Sequence, residues 1–108
     1  MSTESEMDAV FKALGAPVRR RMLDALKAGP RTTGDLCEAF DGLDRCTVMQ
    51  HLKVLEGAGL VVARREGRER WNHLNALPIK AVHDRWIEPY ARQAVGLIDA
   101  VRVAVEDA

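Results

Sequence analysis

Between residues 45 and 53 the chain gathers Arg45, Thr47, Gln50, His51 and Lys53, and between residues 64 and 70 it gathers Arg64, Arg65, Arg68 and Arg70. These side chains suit recognition rather than bond making. An arginine guanidinium can donate two parallel hydrogen bonds to guanine O6 and N7, and a glutamine amide pairs in the same way with adenine N6 and N7. Each such pair discriminates between bases by about 1–3 kcal/mol. Lysine and clustered arginine supply phosphate contacts that carry no base information. Catalysis is poorly served by the same chain. No nucleophile stands beside a base, no carboxylates pair and no glycine-rich loop could cradle a phosphate, while His51, His73 and His83 are scattered. No catalytic residue is assigned, and no cofactor is implied.

Whether the first group can act together depends on the element that carries it. Val48, Leu52 and Leu55 fall at i, i+4 and i+7, which defines the buried side of a helix over residues 45–58 with Asp44 as its cap. At about 100° per residue, the opposite side carries Cys46, Gln50 and Lys53, with Thr47 and His51 on one flank and Arg45 in the first turn. A major groove admits one helix and is read mainly by its N-terminal turns. Arg45, Thr47, Gln50 and His51 are therefore the base-reading candidates, and Lys53 is a phosphate contact. Taken alone, these residues are better explained as an ordinary solvated helix face. The segment that follows favours DNA: Gly57 and Gly59 close the helix, residues 60–63 have strand character, Glu66-Gly67-Arg68 suits a turn, and residues 70–75 return as a second strand. Arg64, Arg65, Arg68 and Arg70 then surround the hairpin tip, placed for phosphate or minor groove.

Upstream, Met7, Val10, Phe11 and Leu14 mark one face of a first helix over residues 4–14. Pro17 opens a second helix with Val18, Met22, Leu23 and Leu26 inward, and its Arg19-Arg20-Arg21 run is expected to be a solvated face outside the DNA site. Thr32 or Thr33 caps a short third helix with Leu36 and Phe40 toward the core. Over residues 79–105 two apolar lines run, Ile79, Val82, Trp86, Tyr90, Leu97, Val101 and Val105 beside Ile87, Ala94 and Ile98, and Pro89 is expected to kink or split that helix. Two lines exceed what one small domain buries. The first and last helices are thus expected to form a dimer interface through Met7, Val10, Trp86, Tyr90, Leu97 and Val101, although Trp86 and Tyr90 could instead wall a small-molecule pocket. The fold class is mostly α with a small β-hairpin (α+β): a winged helix-turn-helix of about five helices and a two-stranded antiparallel wing, in one domain over residues 1–108 whose DNA-reading part spans 32–75.

Composition is compatible with this. A chain of 108 residues, 47% hydrophobic and 30% charged, has the profile of one folded domain rather than of a disordered chain. Its net charge of zero argues against a nonspecific DNA-coating protein, but the charge is uneven: residues 1–44 sum to −2, 45–70 to +3 and 71–108 to −1. Positive charge collects where DNA would dock. No apolar stretch approaches the roughly 20 residues of a membrane span, and MSTESEMD is no basic, apolar export signal, so a cytoplasmic location without a membrane partner is expected. Cys37 and Cys46 form no CxxC pair and are expected to be reduced thiols.

With these motifs in place, LDRCTVMQHLKVLEGAGLVVARREGRERWNHLN resembles the recognition helix and wing of the ArsR family of bacterial repressors, and LGAPVRRRMLDALKAGPRTTGDLCEAF resembles the family's second and third helices. The similarity spans about residues 11–75. It implies a homodimer that binds a palindromic operator in double-stranded DNA and represses; a winged-helix module used only for protein–protein contact is the alternative. Arsenic-sensing members carry Cys-x-Cys in the third helix, and Asp35-Leu36-Cys37-Glu38-Ala39 keeps only the first cysteine. His83, Asp84 and Glu88 do not reproduce the spaced two-His pattern of zinc-sensing members. No metal site is expected, and the small-molecule effector is unknown. The recognition helix also lacks the family's commoner serine-rich start, with Asp44, Arg45 and Met49 in those places. Two readings of Cys46 stay open, a small residue fitted against the groove, which is the commoner role, or a redox-sensitive thiol whose oxidation weakens operator binding.

Overall fold

The computed structural model describes residues 3–107. Its internal contacts fall into two compact units, Met1–Pro78 and Ile79–Ala108.

In the first unit, helix α1 (Glu4–Leu14) begins with a capping box. The Thr3 hydroxyl accepts from the Glu6 amide at 3.1 Å and the Glu6 carboxylate accepts from the Thr3 amide at 3.2 Å, so two amides that the helix leaves unpaired are satisfied reciprocally. The buried stripe runs through Met7, Val10 and Ala13. That stripe is rotated away from Phe11, which is 46% exposed and does not share the buried face as expected. Helix α2 (Pro17–Leu26) opens on proline, whose φ is already helical, and buries Met22, Leu23 and Leu26. Its arginine run is not the plain solvated face expected from sequence. Arg19 donates from Nε to the Ala13 carbonyl at 2.8 Å and from Nη2 to that of Lys12 at 2.9 Å, and Arg20 donates to that of Leu14 at 2.6 Å. The last carbonyls of α1, which have no partner within their own helix, are thereby covered from α2.

Helix α3 (Thr33–Ala39) is capped by Thr32, which forms a second capping box with Asp35 and settles the choice between the two threonines. Leu36 is buried, and Phe40 is half-buried just past the helix end. Helix α4 (Arg45–Gly57) places Val48, Leu52 and Leu55 at 0% exposure, the stripe that their spacing predicts. It ends in a Schellman arrangement: Gly59, at φ +76°, donates to the Glu56 carbonyl and Leu60 donates to that of Leu55, both at 2.9 Å. A side chain at Gly59 would strain that left-handed turn.

Strands β2 (Val61–Glu66) and β3 (Glu69–Leu74) form the hairpin, with Gly67 at φ +64° opening a two-residue loop. The expected two-stranded wing has a third member. Strand β1 (Arg31–Thr32) pairs antiparallel with β3, Arg31 opposite Asn72 and Thr32 opposite Trp71, giving the order β1-β3-β2. Two residues are too few to leave an alternating pattern in a sequence. Asn72 locks this addition: it is fully buried, and its Nδ2 donates to the Arg31 carbonyl and to the Thr33 hydroxyl, each at 3.2 Å. Asn72→Ala strands both acceptors. It is expected to lower unfolding free energy by about 1–2 kcal/mol, the low side of the range for a buried unpaired group, because the Asn72 Oδ1 itself has no partner among the described residues. Urea unfolding should show a lower midpoint with an unchanged slope; an unchanged midpoint would show that the clamp contributes nothing.

Helix α5 (Leu77–Val82) leads into the second unit and continues through a π-helical turn (His83–Ile87) into α6 (Glu88–Glu106). The effect expected of Pro89 takes this form. The Glu88 amide bonds back to the His83 carbonyl, five residues earlier, directly before a residue that has no amide hydrogen to give. Along α6, Tyr90, Leu97, Ile98, Val101 and Val105 are 64–70% exposed. No helix among the described residues is long and apolar enough to cross a membrane.

Candidate nucleic-acid interface

Helix α4 is anchored on one side and open on the other. Opposite its buried stripe, Arg45, Cys46, Gln50 and Lys53 are exposed, while Thr47 and His51 are half-buried on the flank. Its N-terminus is fixed by Asp44, whose carboxylate accepts from the Thr47 amide at 2.7 Å. Hydrogen bonds from the Thr47 backbone, from the Thr47 hydroxyl and from the Cys46 backbone hold the Asp44 carboxyl below the usual carboxylate range. The cap therefore stays ionised at neutral pH, where its negative charge complements the positive end of the helix dipole. His51 is held from behind: Arg19 Nη1 lies 3.3 Å from its Nδ1.

At the hairpin, Arg64, Arg65 and Arg68 are exposed, and their strands are joined in the register Arg64 opposite Trp71, Arg65 opposite Arg70 and Glu66 opposite Glu69. Arg70 departs from the group of wing contacts. Its guanidinium is ion-paired with Glu56 of α4, the two side chains being 19% and 31% exposed. Alternation along β3 puts Arg70 on the same face as buried Asn72, toward the helices, so its charge braces the wing against α4 instead of facing outward. Of four arginines near the tip, three remain directed to solvent.

The residues expected at a dimer interface also separate. Met7 and Val10, also expected there, are 5% and 3% exposed and sit in the core of this chain. Tyr90, Leu97 and Val101 lie open, and Trp86 is half-buried with the Arg85 guanidinium 4.6 Å from its ring centroid. A groove of about 400 Å³ is lined by Met7, Val10, Glu56, Asn75, Leu77 and Pro78 among others. Cys37 and Cys46 are free thiols, and the described residues contain no cluster of three or more metal-ligating side chains.

Three residues that shape this surface escaped the sequence reading: Arg19, Glu56 and Asn72. Each acts through a partner 14 to 41 positions away, Glu56 on Arg70, Arg19 on His51 and Asn72 on Arg31. No periodicity marks such pairs.

Residues 14–64 match a family model described as a helix-turn-helix domain. The chain is 38% identical over 69 residues to the transcriptional repressor SdpR of Bacillus subtilis (strain 168), covering 64% of this chain and 76% of that protein. It is 39% identical over 87 residues to the uncharacterized HTH-type transcriptional regulator YuzN of the same strain, covering 75% of this chain and 95% of that one. Among solved structures, an ArsR family transcriptional regulator superposes with a TM-score of 0.70 at 28% identity, covering 91% of this chain and 95% of the other. These relatives are transcriptional regulators. With the capped helix, the hairpin behind it and these likenesses together, the chain belongs to the ArsR family of winged helix-turn-helix, DNA-binding transcriptional regulators.

Proposed function

We propose that this chain is a homodimeric repressor that binds a palindromic operator, with α4 in the major groove and the β2–β3 hairpin on the flanking backbone or minor groove. Arg45, Thr47, Gln50 and His51 address base edges; Lys53, Arg64, Arg65 and Arg68 address phosphate or minor groove. The observation that carries this reading is the division of α4, fully buried at Val48, Leu52 and Leu55 and open at Arg45, Gln50 and Lys53. A helix held so firmly on one side can present the other to a groove without rearrangement. Dimerisation is supported by α6, where Tyr90, Ala94, Leu97, Ile98, Val101 and Val105 recur at helical spacing on an exposed face.

Titrating labelled duplex DNA at several salt concentrations tests the function. A repressor neutralising several phosphates loses affinity steeply as salt rises, with a slope of log K on log salt of about −0.9 per phosphate contact. A winged-helix module that serves only protein–protein contact shows no such salt-dependent affinity, and that result would overturn the proposal.

A further inference from the structure

One side chain joins the end of α1 to the recognition helix. Arg19 is held by two carbonyls of α1, those of Ala13 and Lys12, at 2.8 and 2.9 Å, and its remaining Nη1 faces His51 Nδ1 at 3.3 Å. A guanidinium has donors and no acceptor, and it does not lose its proton in proteins. The ring nitrogen it faces must therefore be the acceptor, which places the imidazole proton on Nε2. Because Arg19 is fixed by backbone on α1, it reaches His51 as a rigid fork rather than as a mobile surface cation.

We propose that Arg19 is a positioning residue for DNA recognition: it fixes His51 as the Nε2–H tautomer, so that α4 offers DNA a hydrogen-bond donor, and no acceptor, at that point. This rests on the DNA-reading role proposed for α4. The partner is a DNA acceptor atom, either a base edge such as guanine O6 or N7 or thymine O4, or a phosphate oxygen. Amino groups of adenine and cytosine are refused, since two donors cannot pair.

The test combines a spectrum with a double-mutant cycle. In the free protein, long-range ¹⁵N–¹H correlation is expected to show His51 as the pure Nε2–H tautomer; an Nδ1–H tautomer overturns the proposal. Arg19→Met keeps the aliphatic stem and removes all three hydrogen bonds. In the parent background it is expected to weaken operator binding about tenfold, the worth of roughly one well-placed hydrogen bond. In a His51→Gln background, where the amide carries its own N–H donors and has no tautomer to fix, Arg19→Met is expected to weaken binding less than about twofold further. The lost cover over α1 is common to both backgrounds and cancels, so equal losses in the two overturn the proposal. If the acceptor is a base, Arg19→Met also relaxes preference at one position of each half-site; if it is a phosphate oxygen, all sequences lose affinity alike, and both support the role. Absence of duplex binding by the parent chain overturns this role together with the DNA-reading function, and the tautomer, read without DNA, tells that failure apart from a wrong assignment at His51.

Discussion

A chain carrying Leu97→Asp and Val101→Asp is expected to sediment as a monomer and to bind its operator about 10²–10⁴-fold more weakly than the parent, the range over which joining two binding modules raises affinity. Both side chains lie on α6, four residues apart, at 69% and 64% exposure. An apolar row this long is costly to leave in water and is worth roughly 25 cal/mol for each Å² that a second copy covers. Two carboxylates in the middle of that row would have to be desolvated against their counterparts in the partner, which opposes association by more than the lost apolar area alone. The consequence for DNA is geometric. One recognition helix contacts a few base pairs, and only two copies held about 10 base pairs apart read a whole palindrome. A doubly substituted chain that remains dimeric would remove α6 from the interface.

Arg65→Ala with Arg68→Ala is expected to lower affinity for all duplexes alike, by on the order of a hundredfold at low salt, about tenfold for each charged contact. The salt slope should shrink by about 2, one unit for each phosphate released. Arg45→Ala is expected to behave differently, with base preference relaxed at one position of each half-site by about 1–3 kcal/mol and the salt slope changed far less. Arg70→Ala separates the structural arginine from the others. Because Arg70 is paired with Glu56, its loss should act through the seating of the wing on α4 and leave Glu56 partly buried without its partner. Uniform losses of equal size from Arg45→Ala and from the wing pair would contradict the division into base reading and backbone contact.

Local features of this fold were legible in the sequence, and pairings across distant elements were not. Val48, Leu52 and Leu55 reveal the seated side of α4 because helical spacing and burial describe the same geometry, and Asp44 and Thr32 announce helix starts because a cap acts three residues away. The hairpin is legible for the same reason, since its glycine and its strands are adjacent in sequence. Phe11 belongs to the packing side of this division: Met7, Val10, Phe11 and Leu14 satisfy a helical stripe, but packing against α2 and α4 chose the neighbouring line through Ala13. The third strand, the Arg70–Glu56 pair and the Arg19–His51 contact each depend on which elements meet in space. A charge cluster gives the residues that could touch DNA; only the ion pair with Glu56 shows that one of them, Arg70, is turned toward α4. Met7 and Val10 are apolar, which alone does not tell an interface from a core, and both are buried within this chain.

Selection of bound duplexes from a random library, by the 108-residue chain at one fixed salt concentration, tests the central claim most directly. The expected product is an inverted repeat with half-site centres about 10 base pairs apart or a multiple of it, since a two-fold dimer imposes its symmetry on the DNA it reads. Enrichment of no sequence, or of a single site without a symmetry mate, would contradict a dimeric operator-binding repressor.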